Sequence, residues 1–234
     1  MHMKILVILH GWGSSKERWQ KVKEEIVKSG VRVIVPDIPG FKPETELQKP
    51  WDLDDYTDWF NGFLSSENIS EPFFLLGHSF GGTIAAKFSL RYPKKIEKLF
   101  LVAASCIRKR TLRTKLLGMA ARILKFFSFL PLYSLFRRAF YKFIVRKSDY
   151  LGVEGVMKET YLKIIKEDLS ESLSSIKTLT VLIWGKKDDV KPIEEAYLIK
   201  KKINKSRLVI IPEAGHDLEQ KVPDILAKKI LENL

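Results

Sequence analysis

The sequence predicts an α/β fold in three layers, with a mainly parallel sheet of about six strands and one helical cap insertion. Two observations support this fold class. Short apolar runs alternate along the chain with longer segments in which apolar residues recur at helical spacing. This alternation is typical of strand–helix–strand units, in which helices cover both faces of a parallel sheet. In addition, the glycine-rich and polar motifs directly follow strands, and ligands bind at the carboxyl ends of parallel strands.

The first half of the chain alternates regularly. Four strands are predicted, at residues 4–9, 31–35, 73–76 and 96–103. Ser14 is the expected cap of the first helix, and Asp54 is the expected cap of the second. The third helix is predicted over residues 83–91 and ends before Pro93, which cannot continue a helix.

A long segment with helical periodicity, residues 106–175, interrupts the alternation. The alternation then returns, with elements predicted at residues 180–184, 192–202, 208–211 and 223–234. We therefore expect a core formed by residues 1–105 and 176–234, with residues 106–175 inserted into it as a helical cap or lid.

The composition is that of one globular domain, because 45% of the 234 residues are apolar and 29% are charged. The single cysteine, Cys106, can form no intramolecular disulfide and is expected to be a small buried side chain. The apolar run at the N-terminus is too short for the core of a signal peptide. These features predict a cytoplasmic location, with peripheral contact at the inner membrane face left open. No cluster of metal ligands stands out, so we expect no metal and no cofactor.

The sequence GHSFGG at residues 77–82 lies between a predicted strand and a predicted helix. It matches the pattern G-x-S-x-G, in which a serine occupies a sharp, strained turn and its neighbouring glycines allow close passage of the backbone. The turn raises the serine hydroxyl above the sheet, next to a helix N-terminus that favours negative charge. Ser79 is therefore the candidate nucleophile, although a glycine-rich strand–helix turn without catalytic function has the same outline.

A serine hydroxyl needs a base, and His216 is the natural candidate because it lies in the loop after the last predicted strand. The base in turn needs an acid that holds its tautomer. Asp188 and Asp189 follow the preceding strand, and chemistry alone does not separate them. The chain order is then Ser79, aspartate, His216, which is the order of the fold in which this serine turn occurs.

A glycine-rich turn also follows the first strand, with the sequence HGWG at residues 10–13. Such a turn can direct a backbone N–H group at the candidate nucleophile. The N–H group of the residue after the serine is the second donor that acyl transfer requires. The predicted oxyanion hole therefore consists of the backbone N–H groups of Trp12 and Phe80.

Five motifs together resemble the α/β-hydrolase superfamily, in particular its small esterases and carbon–carbon bond hydrolases. They are HGWG at 10–13, PDIPG at 36–40, GHSFGG at 77–82, GKKD at 185–188 and GH at 215–216. The resemblance covers nearly the whole chain outside the insertion, and it implies Asp188 rather than Asp189 as the acid. Serine at position 79 disfavours the relatives with an aspartate nucleophile. Many members have a strand pair before the His-Gly strand, so the sheet here is expected to be trimmed and all-parallel.

The net charge of +13 is concentrated in the insertion. Residues 107–148 hold twelve lysine and arginine residues and no acidic residue, which leaves the rest of the chain close to neutral. The same segment is rich in leucine and phenylalanine at helical spacing. A basic amphipathic helix can bind anionic membranes. There are two alternatives. In the first, the apolar face covers the core and the basic face is merely solvated. In the second, the basic face binds an anionic substrate. Nucleic acid is not an expected partner, because no recognition motif accompanies the charge.

These features predict a serine esterase that forms an acyl-enzyme on Ser79 and takes a small ester with a short-to-medium acyl chain or another apolar group. The expected substrate contacts are Trp12, His78, Phe126, Phe127 and Tyr133. The same triad also serves carbon–carbon bond hydrolases, thioesterases, amidases and perhydrolases, which remain alternatives. A non-catalytic module that binds a ligand or a membrane is the alternative of another class, and it predicts a damaged triad. No damage is visible in the motifs.

Overall fold

A computed structural model gives the fold and describes residues 3–108 and 154–234. Its sheet has six strands in the order β2-β1-β3-β4-β5-β6. The strands are β1 Ile5–Leu9, β2 Arg32–Ile34, β3 Phe73–His78, β4 Ile96–Val102, β5 Thr180–Gly185 and β6 Ser206–Ile211. All neighbouring strands are parallel. This confirms the predicted all-parallel sheet of six strands.

Helices connect the strands, as parallel pairing requires. The described helices are α1 Gln20–Val27, α2 Leu53–Ser66, α3 Phe80–Arg91, α4 Gly155–Ile164, α5 Ile193–Lys202, α6 Leu218–Lys221 and α7 Pro223–Leu231. Helix α1 packs with α7, and α2 packs with α3. Every residue of β3 and β5 is buried, because helices cover both faces of the sheet. The apolar character of these strands follows from this two-sided burial.

The register of the central strands brings their carboxyl ends to one edge of the sheet. Leu9 at the end of β1 pairs with Gly77 of β3, and His78 pairs with Val102 at the end of β4. Gly185 at the end of β5 pairs with Ile211 at the end of β6. The loops after β1, β3, β5 and β6 therefore emerge side by side, which is where the predicted site residues lie.

Two predicted helix caps are wrong. Asp52, not Asp54, caps α2: its side chain accepts the N–H groups of Asp54 and Asp55, and the Asp55 side chain accepts the N–H of Asp52. An aspartate at the third helical position thus completes a capping box two residues earlier than predicted. The first helix is preceded by a 3-10 turn, Lys16–Trp19, and no side chain caps it. The hydroxyl of Ser14 has no hydrogen-bond partner among the described residues.

Cys106 follows β4 and is buried, as predicted. Its thiol lies against the backbone carbonyl of Gly82, and burial raises its pKa to about 12. Such a thiol stays protonated and unreactive at neutral pH. No helix in the described ranges is long and apolar enough to span a membrane.

The predicted cap, residues 106–175, falls only partly within the described chain. Residues 109–153 lie outside it, and with them the predicted contacts Phe126, Phe127 and Tyr133. The described remainder forms α4 and the 3-10 turn Ser172–Ser175. The Arg108 guanidinium donates to the carbonyl of Ile164, the last residue of α4, and to the carbonyl of Glu167, three residues later.

Candidate active site

Ser79 occupies a strained turn between β3 and α3. Its φ of 52° and ψ of −113° lie outside the regions that a residue with a side chain prefers, a conformation that costs about 1–3 kcal/mol. Two glycines are required around it. A side chain at Gly77 would overlap the backbone of Gly81, and a side chain at Gly81 would overlap the carbonyl of Leu9. The turn therefore forms as the G-x-S-x-G pattern predicted.

A continuous hydrogen-bonded chain joins three of the predicted residues. His216 Nε2 lies 3.2 Å from Ser79 Oγ, and His216 Nδ1 lies 2.8 Å from Asp188 Oδ2. Because a carboxylate only accepts, Nδ1 carries the proton and the lone pair of Nε2 faces the serine hydroxyl. This arrangement can take the proton of a serine as its oxygen attacks a carbonyl carbon.

Asp188 is held firmly in this chain. Its side chain is fully buried, and its second oxygen, Oδ1, accepts the backbone N–H groups of Val190 at 2.9 Å and Lys191 at 2.6 Å. These two donors fix the rotation of the carboxylate, so that Oδ2 is directed at His216. The side chain of Asp189 is exposed. Of the two aspartates that the residues alone left open, Asp188 is the one hydrogen-bonded to His216.

The backbone N–H groups of Trp12 and Phe80 are available as donors. Phe80 is the first residue of α3, where an N–H group has no partner within the helix. Within the described ranges, neither N–H group donates to a protein acceptor. The two residues are adjacent in space, since their rings lie 5.3 Å apart. Gly11 brings this loop onto the serine, because a side chain at Gly11 would lie 3.4 Å from Ser79 Cβ.

His10 orients the peptide that carries the Trp12 N–H group. Its ring is fully buried, accepts the N–H of Ile38 at Nε2 and donates from Nδ1 to the carbonyl of Gly11 at 2.9 Å. Burial lowers the pKa of His10, so the ring is neutral, as this pair of contacts requires. The N–H of a trans peptide points opposite to its carbonyl, so fixing the Gly11 carbonyl also fixes the direction of the Trp12 N–H.

Aromatic side chains surround Trp12. Its ring makes edge-to-face contacts with Phe41 at 4.8 Å, Phe80 at 5.3 Å and Tyr161 at 5.2 Å between ring centroids. We call these four residues the aromatic wall. Sequence reasoning missed Phe41, although its position just after the proline–glycine turn that follows β2 could have indicated it. It also missed Tyr161 of α4, which only the packing of that helix brings near Trp12.

His78 lies beside the serine and was predicted to contact the substrate. In the structure, its ring is hydrogen-bonded to the protein backbone. The residue is 4% exposed, and its Nε2 lies 3.1 Å from the backbone carbonyl of His216. Burial lowers the pKa of His78. Among the residues that the structure describes, no group of three or more His, Cys, Asp or Glu side chains is placed to hold a metal ion.

Comparison with known proteins places this arrangement in a family. Residues 4–132 match the family model described as the alpha/beta hydrolase fold. Monoacylglycerol lipase ABHD6 of Mus musculus is 26% identical over 264 residues, which cover 100% of this chain and 76% of that protein. Lipase 1 of Psychrobacter immobilis is 25% identical over 90% of this chain and 70% of its own length.

Solved structures agree with the family model. The esterase EaEST from Exiguobacterium antarcticum superposes with a TM-score of 0.75 at 22% identity, and the match covers 98% of this chain and 91% of that chain. An esterase of Thermogutta terrifontis, solved with malate bound, gives a TM-score of 0.72 at 20% identity, over 98% of this chain and 88% of that one. The sheet order, the serine turn and these matches agree, and the chain belongs to the α/β-hydrolase fold family.

Proposed function

We propose that this protein is a serine hydrolase that cleaves carboxylic esters through an acyl-enzyme. The observation that carries the proposal is the unbroken hydrogen-bonded chain from Asp188 through His216 to Ser79. A buried acid, an imidazole hydrogen-bonded to it and a serine at a helix N-terminus are together the parts that acyl transfer needs.

In the first half-reaction, Ser79 Oγ attacks the carbonyl carbon of the ester, and His216 Nε2 takes the hydroxyl proton. Asp188 holds the tautomer of His216 and stabilises the imidazolium that forms. The N–H groups of Trp12 and Phe80 donate to the oxyanion of the tetrahedral intermediate. His216 then gives its proton to the alkoxide oxygen of the leaving alcohol. The carbon–oxygen bond breaks, and the acyl group stays on Ser79.

In the second half-reaction, water replaces the alcohol. His216 Nε2 takes a proton from the water as its oxygen attacks the acyl carbon, and the same N–H groups hold the second oxyanion. Collapse of this intermediate breaks the bond to Ser79 Oγ, which regains its proton from His216. The carboxylic acid leaves, and the enzyme returns to its starting state.

Two features favour apolar esters as the substrates. The aromatic wall includes Trp12 and Phe80, which carry both oxyanion donors, so an apolar group bound there would rest on aromatic faces and edges. The relatives named above are a monoacylglycerol lipase and a lipase, both ester hydrolases by name. We therefore propose short-to-medium acyl esters, or esters of other apolar acids, as the substrate class.

A fluorophosphonate probe combined with a substrate series tests this proposal. The probe is expected to label the folded protein at Ser79, and heat-denatured protein is the control that should stay unlabelled. Among p-nitrophenyl esters of increasing acyl length, turnover should peak at short-to-medium chains. An acyl-CoA and a vinylogous diketone, assayed beside them, represent thioesterase and carbon–carbon hydrolase activity. Faster cleavage of either one, or no label at Ser79, would contradict the proposal.

We further propose that the basic segment 107–148 brings the enzyme to anionic membrane surfaces, where apolar esters concentrate. Co-sedimentation should show stronger binding to anionic than to neutral vesicles, and added salt should weaken it. Arg137→Glu combined with Arg138→Glu should reduce binding. Lys200→Glu combined with Lys201→Glu, a matched change on the exposed face of α5, should reduce it less. Equal binding to neutral and anionic vesicles at low salt would refute the proposal.

A further inference from the structure

A buried carboxylate lies behind the candidate active site and takes no part in the hydrogen-bonded chain described above. Glu219, near the start of α6, is 1% exposed. Its Oε1 accepts from Arg18 Nε at 3.2 Å, whereas its Oε2 has no hydrogen-bond partner among the described residues. A carboxylate oxygen that is buried without a hydrogen-bond partner lowers the free energy of unfolding. Its presence in this fold therefore calls for an explanation.

The group nearest to this oxygen is the imidazole of His78. Glu219 Oε2 lies 4.0 Å from His78 Nε2, and the same nitrogen lies 3.1 Å from the carbonyl of His216. A carbonyl only accepts hydrogen bonds, so Nε2 carries the proton of the neutral ring. The negative charge of Glu219 then faces that N–H group and favours this tautomer over the one protonated at Nδ1. The two histidine rings lie 5.0 Å apart.

Arg18 links this pair to two further loops. It lies in the 3-10 turn just after the loop that holds Trp12, and its Nη2 donates to Asp217 at 3.0 Å. The ring of Trp19, the next residue, lies 5.8 Å from that of His78. On the other side, a side chain at Gly11 would come within 3.2 Å of His78 Nδ1. The loop of the oxyanion donors, the serine turn and the His216 loop thus all meet at His78.

We propose that Arg18, Glu219 and His78 form a positioning unit, which holds the backbone of His216 at the distance from Ser79 that proton transfer requires. The inference rests on the proposed function, in which His216 is the base. His78 donates to the backbone carbonyl of His216. A shift of that hydrogen bond therefore moves the backbone that carries the His216 imidazole. Glu219 fixes the tautomer that makes the donation, and Arg18 ties Glu219 and Asp217 to the loop of Trp12.

The reaction should be sensitive to this support. Proton transfer from Ser79 needs the two reacting atoms within hydrogen-bond reach, and small displacements of catalytic groups lower the rate strongly. None of the three side chains receives a proton in the reaction, and none needs to contact the substrate. Loss of the positioning unit should therefore reduce kcat and leave KM unchanged.

A matched pair of substitutions at His78 tests the positioning unit. His78→Leu removes the donor, whereas the amide nitrogen of His78→Gln can take the place of Nε2 and donate to the carbonyl of His216. With a short-chain p-nitrophenyl ester, His78→Leu should lower kcat by about tenfold at unchanged KM, and His78→Gln should recover most of that loss. A rise in KM at unchanged kcat would instead make His78 a substrate contact and overturn the positioning unit.

Glu219→Gln tests the second member. If the amide oxygen keeps the contact with Arg18, the amide N–H₂ faces the His78 N–H, and two donors then oppose each other. We expect kcat to fall several-fold at unchanged KM. Glu67→Gln makes the same chemical change at a half-buried carboxylate that pairs with Arg32 away from the site, and it should leave kcat unchanged. Leu226→Ala, at a buried position of α7, controls for stability: it should lower Tm without lowering kcat.

The wild-type protein separates this inference from the proposed function. Wild-type labelling at Ser79 and ester turnover test the function alone, and their absence would overturn both proposals. If the wild type labels and turns over while His78→Leu and Glu219→Gln keep full kcat, the positioning unit is wrong and the proposed function stands. A His78→Gln variant as slow as His78→Leu would also overturn it, because the donor would then not be what matters.

Discussion

Ser79→Ala is expected to lower kcat for p-nitrophenyl esters by at least about a thousandfold, the largest loss of any single substitution considered. The hydroxyl is the atom that forms the acyl-enzyme, and no other group in the hydrogen-bonded chain can replace it. What activity remains would come from substrate binding and from the N–H groups of Trp12 and Phe80, which need no serine oxygen. Steady-state kinetics and loss of fluorophosphonate labelling measure the effect.

The variant should remain folded, because alanine removes one oxygen and keeps the backbone of the serine turn. Thermal unfolding near the wild-type Tm would confirm this. Ser65→Ala, at an exposed position of α2, is the matched control and should keep both activity and labelling. A Ser79→Ala variant with wild-type turnover would place the nucleophile elsewhere and refute the acyl-enzyme on this residue.

Asp188→Asn is expected to cost on the order of a thousandfold in kcat. The geometry dictates how the amide must sit. Val190 and Lys191 both donate to one oxygen of Asp188, so the amide oxygen would occupy that position and the N–H₂ group would face His216 Nδ1. Nδ1 would then accept and Nε2 would carry the proton. A protonated Nε2 cannot take the proton of Ser79.

The neighbouring aspartate provides the control for this prediction. Asp189→Asn makes the same change one residue later, on an exposed side chain that is not part of the hydrogen-bonded chain from Asp188 to Ser79, and should leave kcat within about twofold. Kinetics of both variants on one ester decide the point. Equal losses would mean that the loop as a whole, and not the carboxylate bonded to His216, supports activity.

The sequence predicted the elements whose formation depends on local chemistry. The serine turn at residues 77–82 has glycines where the backbone must pass closely, and the central strands β3 and β5 are apolar runs that are buried throughout. The sequence pattern does not locate helix caps to the residue, because two nearby aspartates can both accept backbone N–H groups. Asp52 and Asp54 were separated only by Asp55, whose side chain completes the reciprocal pair at Asp52.

The parts of the site that depend on distant packing could not be predicted. Glu219 lies in a short polar stretch that would usually be solvated, but it is buried and accepts a hydrogen bond from Arg18, 201 positions earlier. Tyr161 similarly meets Trp12 only through the docking of α4. His78 was expected to contact substrate because of its place beside Ser79, but the direction of its ring depends on the His216 loop, which the pattern around residue 78 does not contain.

The backbone of Ser79 has a consequence for attempts to make the protein more heat-resistant. Glycine adopts positive φ without a steric penalty, so Gly at position 79 would relax the turn and raise stability. The same exchange would delete the hydroxyl on which the proposed chemistry depends. Thermal tolerance and reactivity therefore make opposite demands on one residue, and an engineer must look for added stability at the surface and in loops away from this turn.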